Sequence, residues 1–134
     1  MAEETMVKEI LTKEMIQAGA DLVHRLDAAH LEVSASLWLY IPDANLWRLV
    51  IASPAVKAEG PKRVYQKIQS VLSQAPDDAY KVTLSDISAV EHTDPLVTLL
   101  RAAVKMGKGI SGRRFSRNTI NGHFIEDAYL YRVT

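Results

Sequence analysis

The chain of 134 residues contains no cysteine. That excludes disulfides, thiolate nucleophiles and cysteine-based zinc or iron–sulfur sites, and it fits a reducing compartment. No stretch approaches the roughly 18 apolar residues that a membrane span requires. The first ten residues, MAEETMVKEI, are acidic and lack an apolar run, so they do not read as a secretory signal. The expected location is cytoplasmic, with no membrane partner. Glycine and proline are sparse, at 6 and 5 residues, and no repeat or low-complexity tract occurs. With 48% hydrophobic and 24% charged residues, the composition is that of a globular protein. A chain of this size forms one domain and buries roughly two thirds of its unfolded surface. Residues 1–134 are therefore read as a single domain, with residues 1–11 as a flexible or helical extension.

Catalytic signatures are missing as well. No Gly-x-Ser-x-Gly elbow is present to anchor a hydrolase triad. Gly107-Lys108 is followed by Gly109 and lacks the Walker frame; here a helix leads into a strand, the reverse of a phosphate loop. Leu46 to Ser53 holds no acidic residue followed two positions later by lysine, which removes a restriction-type nuclease site.

One further absence is local. Between Pro95 and Ile125 there is no Asp or Glu, whereas Arg101, Lys105, Lys108, Arg113, Arg114 and Arg117 all fall there. The whole chain balances 16 basic against 16 acidic residues, so removing this window leaves 10 against 16. A formally neutral protein can thus present one positive surface to an anionic partner.

What is there reads as an α+β fold. Met15, Ile16, Gly19, Leu22, Val23 and Leu26 recur at helical spacing, giving a first helix over Thr12 to Ala29 capped by Thr12. Leu31 to Ile41 and Leu46 to Ser53 form a hairpin around Pro42-Asp43-Ala44-Asn45. That turn sets Ile41 against Leu46, Tyr40 against Trp47 and Trp38 against Leu49. The opposite face carries Leu37, Leu39, Ile41, Leu46 and Val50, interrupted only by Arg48. Strands apolar on both faces cannot leave one side in water. About three helices would struggle to cover both, so these five residues are candidates for self-association as a homo-oligomer. Gly60-Pro61 opens a second helix with Val64, Tyr65, Ile68, Val71 and Leu72 on its apolar face, ended by Pro76-Asp77-Asp78. A third strand is expected over Tyr80 to Leu84, with Ser85 to Asp94 irregular. Asp94-Pro95 starts a third helix through Lys105, with Gly107 as its C-cap. Asn121-Gly122 joins Ile110–Ile120 to His123–Val133 in a second hairpin. The sum is a two-layer, largely antiparallel sheet of two hairpins and one more strand, packed with about three helices.

The basic window supplies the candidate anion or nucleic-acid contacts: Lys105, Lys108, Arg113, Arg114 and Arg117. In the Asn-Gly register Arg117 faces Glu126 and Arg114 faces Tyr129, so cross-strand pairing would occupy two of them. The uncommitted charges are then Lys105, Lys108, Arg113 and Arg114 in part, around Gly107 to Gly112. Arg114, Tyr129 and Tyr131 share one face, and Phe115 and Phe124 the other, which suits either base stacking or a half-buried ribbon. Glu91-His92-Thr93-Asp94 is the one local histidine–carboxylate cluster, with Asp94 read mainly as a helix cap. His24 and His30 lie six residues apart, on different helix faces, and His123 follows a turn. Ser53, Lys57 and the amides of Lys62 and Arg63 form a weaker anion-pocket candidate.

The first expectation is a self-associating binding module without an active site. The second is binding of nucleic acid, another polyanion or an acidic protein through residues 101–117. The third is an enzyme with a cleft near His92 and Asp94. No cofactor and no metal is expected.

Overall fold

The computed structural model describes residues 7–76 and 80–134. Helix α1 spans Lys13–Ala28, and Thr12 caps it by accepting from the Met15 amide at 3.1 Å. Strands β1 (Ala35–Ile41) and β2 (Leu46–Ser53) pair antiparallel, with Ile41 opposite Leu46 and Tyr40 opposite Trp47. A short helix α2 (Ala55–Glu59) and then α3 (Pro61–Leu72) lead to β3 (Ile87–Glu91), which runs parallel to β2. Helix α4 (Pro95–Ala103) follows, then β4 (Arg113–Ile120) and β5 (His123–Val133), antiparallel neighbours. The open sheet has the order β3-β2-β1-β5-β4, so β1 is central and β3 and β4 are the edges.

Five elements differ from the sequence expectation. The third strand lies at Ile87–Glu91 and not at Tyr80–Leu84. Leu84–Asp86 form a 3₁₀ turn held by a capping box between Thr83 and Asp86, which stops an extended run there. Helix α2 occupies what reads as a plain connection. Helix α4 ends at Ala103, with Val104 as its cap in place of Gly107. Strands β1 and β4 begin at Ala35 and Arg113, later than Leu31 and Ile110. Helix α3 ends at Leu72 with Ser73 as its cap, ahead of Pro76, and Asp77 and Asp78 of the expected terminator lie outside the described residues.

Successive strand residues point to opposite faces, and β1 is buried on both. Trp38, Tyr40, Trp47, Leu49, Ile51, Ile87 and Tyr131 pack with Leu22, Val23 and Leu26 of α1 and Val64, Ile68 and Val71 of α3. Leu37, Val50, Ala128 and Leu130 pack with Leu100 of α4 and with Val104. Helices therefore lie on both faces. This corrects the expectation of an uncovered face at two of its five residues: Leu37 and Val50 are buried within the single chain, in one cluster with Leu100 of α4.

Helix α1 is seated by two aromatic side chains of the sheet. The Trp38 indole N–H donates to the Met15 carbonyl at 3.1 Å, and the Tyr131 hydroxyl donates to the Ile16 carbonyl at 2.6 Å. Both rings lie against Gly19, where an added Cβ would collide with the Tyr131 hydroxyl and the Trp38 indole nitrogen. Gly19→Ala should therefore lower stability by about 1–3 kcal/mol, the usual cost of overpacking. Urea unfolding checks this: the midpoint should fall with the slope unchanged. A midpoint equal to that of the parent would contradict this seating of α1.

Candidate functional site

The connection from α4 to β4 runs along the end of β5. The Met106 amide donates to the Val133 carbonyl at 3.3 Å, and the Ser111 amide to the Tyr131 carbonyl at 2.9 Å. Gly112 then passes so close to Tyr129 that any Cβ would strike its hydroxyl. This fixed path places the basic window along one end and one edge of the sheet.

Two of its six cations are committed. Arg101 donates through Nε to the Thr134 carbonyl at 2.7 Å and through Nη2 to the His92 carbonyl at 3.1 Å. Arg114 makes a two-point contact with Asp127, Nε to Oδ1 at 2.6 Å and Nη2 to Oδ2 at 2.7 Å. Lys105, Lys108, Arg113 and Arg117 are exposed and pair with nothing among the described residues. This revises the sequence assignment at two positions. Arg114 does sit opposite Tyr129 in the ladder, but its charge is taken by Asp127. Arg117 adopts φ 47° and forms no ion pair with Glu126, so it joins the unpaired set.

Asp127 is a site residue that the sequence spacing did not single out. Its residue is 3% exposed, and its carboxylate accepts from Arg114, from the Lys8 ammonium at 2.7 Å and from the Ser116 hydroxyl at 3.0 Å. Burial alone would raise its pKa; the hydrogen bonds from Arg114, Lys8 and Ser116 outweigh that and hold it well below the usual carboxylate range. The bond to Asp127 in turn raises the Arg114 pKa. The cations also cover aromatic rings, Lys8 at 4.7 Å from the Tyr40 centroid and Arg114 at 5.5 Å from that of Trp47. Asn45 holds the segment bearing Lys8 in place: its amide donates to the Val7 carbonyl at 3.0 Å and its side-chain oxygen accepts from the Glu9 amide at 2.9 Å.

The aromatic residues of β4 and β5 do not form a stacking platform. Tyr131 is 1% exposed, and burial raises its pKa. Tyr129 and Phe115 are half-buried. Phe124 alone among the four is open, at 61%.

At the end of the sheet where β1 begins and β5 ends lies a wide cleft of about 670 Å³, lined in part by His30, Ser34, His92, Lys108 and Arg132. Arg132 is buried and pairs with Asp27 through Nη1–Oδ1 at 2.9 Å and Nη2–Oδ2 at 2.7 Å. Its Nη1 also donates to the Val33 carbonyl at 3.1 Å. The cleft brings Lys108 and His92 together, but Asp94 is elsewhere. Its Oδ2 accepts from the Leu96 and Val97 amides at 3.0 and 3.3 Å and caps α4. The His92 ring lies 3.2 Å from Arg101 Nη2. The hydroxyls lining the cleft bond to backbone: Ser34 donates to the Ala52 carbonyl at 3.3 Å and Thr134 to the Ser34 carbonyl at 2.7 Å. The other anion-pocket candidates disperse. Ser53 is buried and its oxygen accepts from the Ala55 amide, while Lys57 sits exposed on α2. Among the described residues no group of three or more His, Asp or Glu could hold a metal ion, and no helix is long and apolar enough to cross a membrane.

Of the self-association candidates, Leu39 is half-buried and packs against the cluster that holds Leu100 of α4, Ile41 is half-buried and Leu46 is 38% exposed.

The Asp127 cluster has a pH signature. Its depressed folded-state pKa means the stabilisation is present above the unfolded value of about 4 and is lost as pH falls below it. Asp127→Asn should cost about 1.5–3 kcal/mol at neutral pH, the range for hydrogen bonds to charged groups. The gap between variant and parent should narrow as pH falls from 5 to 2 in urea titrations. A constant gap would contradict the ionised cluster. Comparison with protein-family models, curated proteins and solved structures finds no match for the chain.

Proposed function

We propose that this chain is a non-catalytic nucleic-acid-binding module whose contact surface is the α4–β4 connection together with edge strand β4. One observation carries the reading: Lys105, Lys108, Arg113 and Arg117 are exposed and unpaired among the described residues, in a segment without a single acidic side chain. Cations with no intramolecular partner are the ones a polyanion can take by releasing its counterions. The enzyme reading has less support, because Asp94 caps α4 and the cleft hydroxyls face backbone carbonyls.

Fluorescence anisotropy with labelled oligonucleotides over a salt series tests it. With four phosphate contacts the logarithm of affinity should fall against the logarithm of salt with a slope of about −3 to −4. Replacing Lys105, Lys108, Arg113 and Arg117 together by alanine should weaken binding by at least about tenfold and flatten that slope. Replacing Lys13, Lys57, Lys62 and Lys67 removes the same charge from other surfaces and should change binding little. Salt-independent binding, or equal loss in both variants, would overturn the reading.

A second reading, self-association, draws on Leu39, Ile41 and Leu46, the three of the five apolar candidates that are not fully buried. Sedimentation should show a dimer at high concentration that Leu46→Lys disrupts. A parent that stays monomeric contradicts it.

A further inference from the structure

We propose that the two-stranded end of β4 and β5, from Arg117 to Phe124, enters the major groove of duplex DNA and reads base edges there. The proposal rests on the nucleic-acid reading above and names the substrate class. Its first support is topological. Pairing between β1 and β5 ends at Leu39 opposite Ala128, so beyond Ser116 and Asp127 the ladder has no third strand beside it. The ribbon continues through three more pairs, Asn118 with Ile125, Thr119 with Phe124 and Ile120 with His123.

Dimensions and exposure fit. At about 3.3 Å per residue these pairs extend roughly 10 Å, and paired strands lie about 4.8 Å apart. The B-DNA major groove is about 12 Å wide and 8.5 Å deep and admits a two-stranded ribbon, whereas the minor groove, at about 6 Å, is too narrow. Arg117, Asn118, Thr119, Asn121, His123 and Phe124 are all exposed. Ile125 is buried in the core cluster and ties the ribbon to the body of the protein. The turn is tight: Asn121 and Gly122 have φ of 47° and 81°, the positive pair of a type I′ connection.

The chemistry is that of base recognition. An arginine fork matches the two acceptors of guanine, and an asparagine amide matches the acceptor–donor pair of adenine. Thr119 and Phe124 offer apolar contact to the thymine methyl. No carboxylate lies between Pro95 and Ile125 to repel phosphates, and Arg113, on the same strand, is the nearest of the other unpaired cations for a backbone contact. Two alternatives fit less well. Single strands bind on successive exposed aromatic rings, and Phe124 is the one open ring among the four aromatic residues of β4 and β5. The major groove of A-form RNA is too deep and narrow for side chains to read.

The test uses the full chain and three probes: a duplex pool of random sequence, the same pool with cytosines glucosylated so that the major groove is filled, and the matching single strands. Asn118→Ala with Asn121→Gly removes both amides, and glycine keeps the positive φ of the turn. Selection on the parent should enrich a preferred duplex, which glucosylation weakens at least tenfold. The double variant should lose that preference while its heparin retention stays the same. Salt-sensitive binding that ignores glucosylation, or that favours single strands, overturns the groove proposal and leaves the nucleic-acid reading standing. Absence of salt-sensitive binding to every probe overturns both.

Discussion

Burial of β1 on both faces is the constraint from which the rest of the architecture follows. Leu37 and Trp38 are adjacent, point in opposite directions and are both almost fully buried. A strand of this kind must be central, and it is flanked by β2 and β5. It also needs a cover on each side. Helices α1 and α3 supply one and α4 supplies the other. To bring a helix to the second face, the chain must leave β2, cross on α2 and α3, return parallel as β3 and only then turn into α4. The single parallel pair in an otherwise antiparallel sheet is the consequence of that crossover. The α4–β4 connection must then pass the end of β5 to reach the far edge, which is how the basic segment comes to lie on an edge.

An edge strand has an exposed ladder of backbone donors and acceptors, and charged side chains are one way to keep it from pairing with another chain. Arg113, Arg114 and Arg117 on β4 serve that purpose whatever else they do. Edge protection does not account for Lys105 and Lys108, which lie before the strand begins. Nor does it need the complete lack of carboxylates, since mixed charges would guard an edge equally well. The exclusion of one sign from the entire segment is the part that points outward, to a partner carrying the other sign.

Much of this fold was written in local patterns. The Thr12 and Asp94 caps, the apolar stripes of α1 and α3, the register of β1 with β2 and the Asn121-Gly122 turn depend on residues within a few positions of each other, and all stand where spacing put them. Strand β3 escaped because Ile87-Ser88-Ala89-Val90-Glu91 has modest strand propensity, and its partner in β2 is some forty residues away. The cover over Leu37 and Val50 escaped because periodicity gives the apolar side of α4 but not which face of the sheet it meets. The charge assignment failed for the same reason. Arg114 read as facing Tyr129 and only partly committed and Arg117 as paired with Glu126, since Lys8 and Asp127, 119 residues apart, make a cluster that no short window contains.

That cluster also explains which cations remain available. Arg114 lies over the Trp47 ring, half exposed, beside the nearly buried Asp127 carboxylate, where an unpaired anion would be costly. Asp127 without Arg114 and Lys8 would be an uncompensated anion at the rim of the aromatic core, so the three are bound to one another by desolvation as much as by attraction. Arg113 precedes Arg114 and so projects from the other side of the strand, into water, where a guanidinium needs no partner. Arg117 follows the last pair that touches Asp127, has a left-handed backbone and is exposed. The fold thus sorts the basic segment by solvation. Arg101 and Arg114 are occupied by carbonyls and by Asp127, and the exposed cations without a partner among the described residues keep their full capacity for an anionic partner.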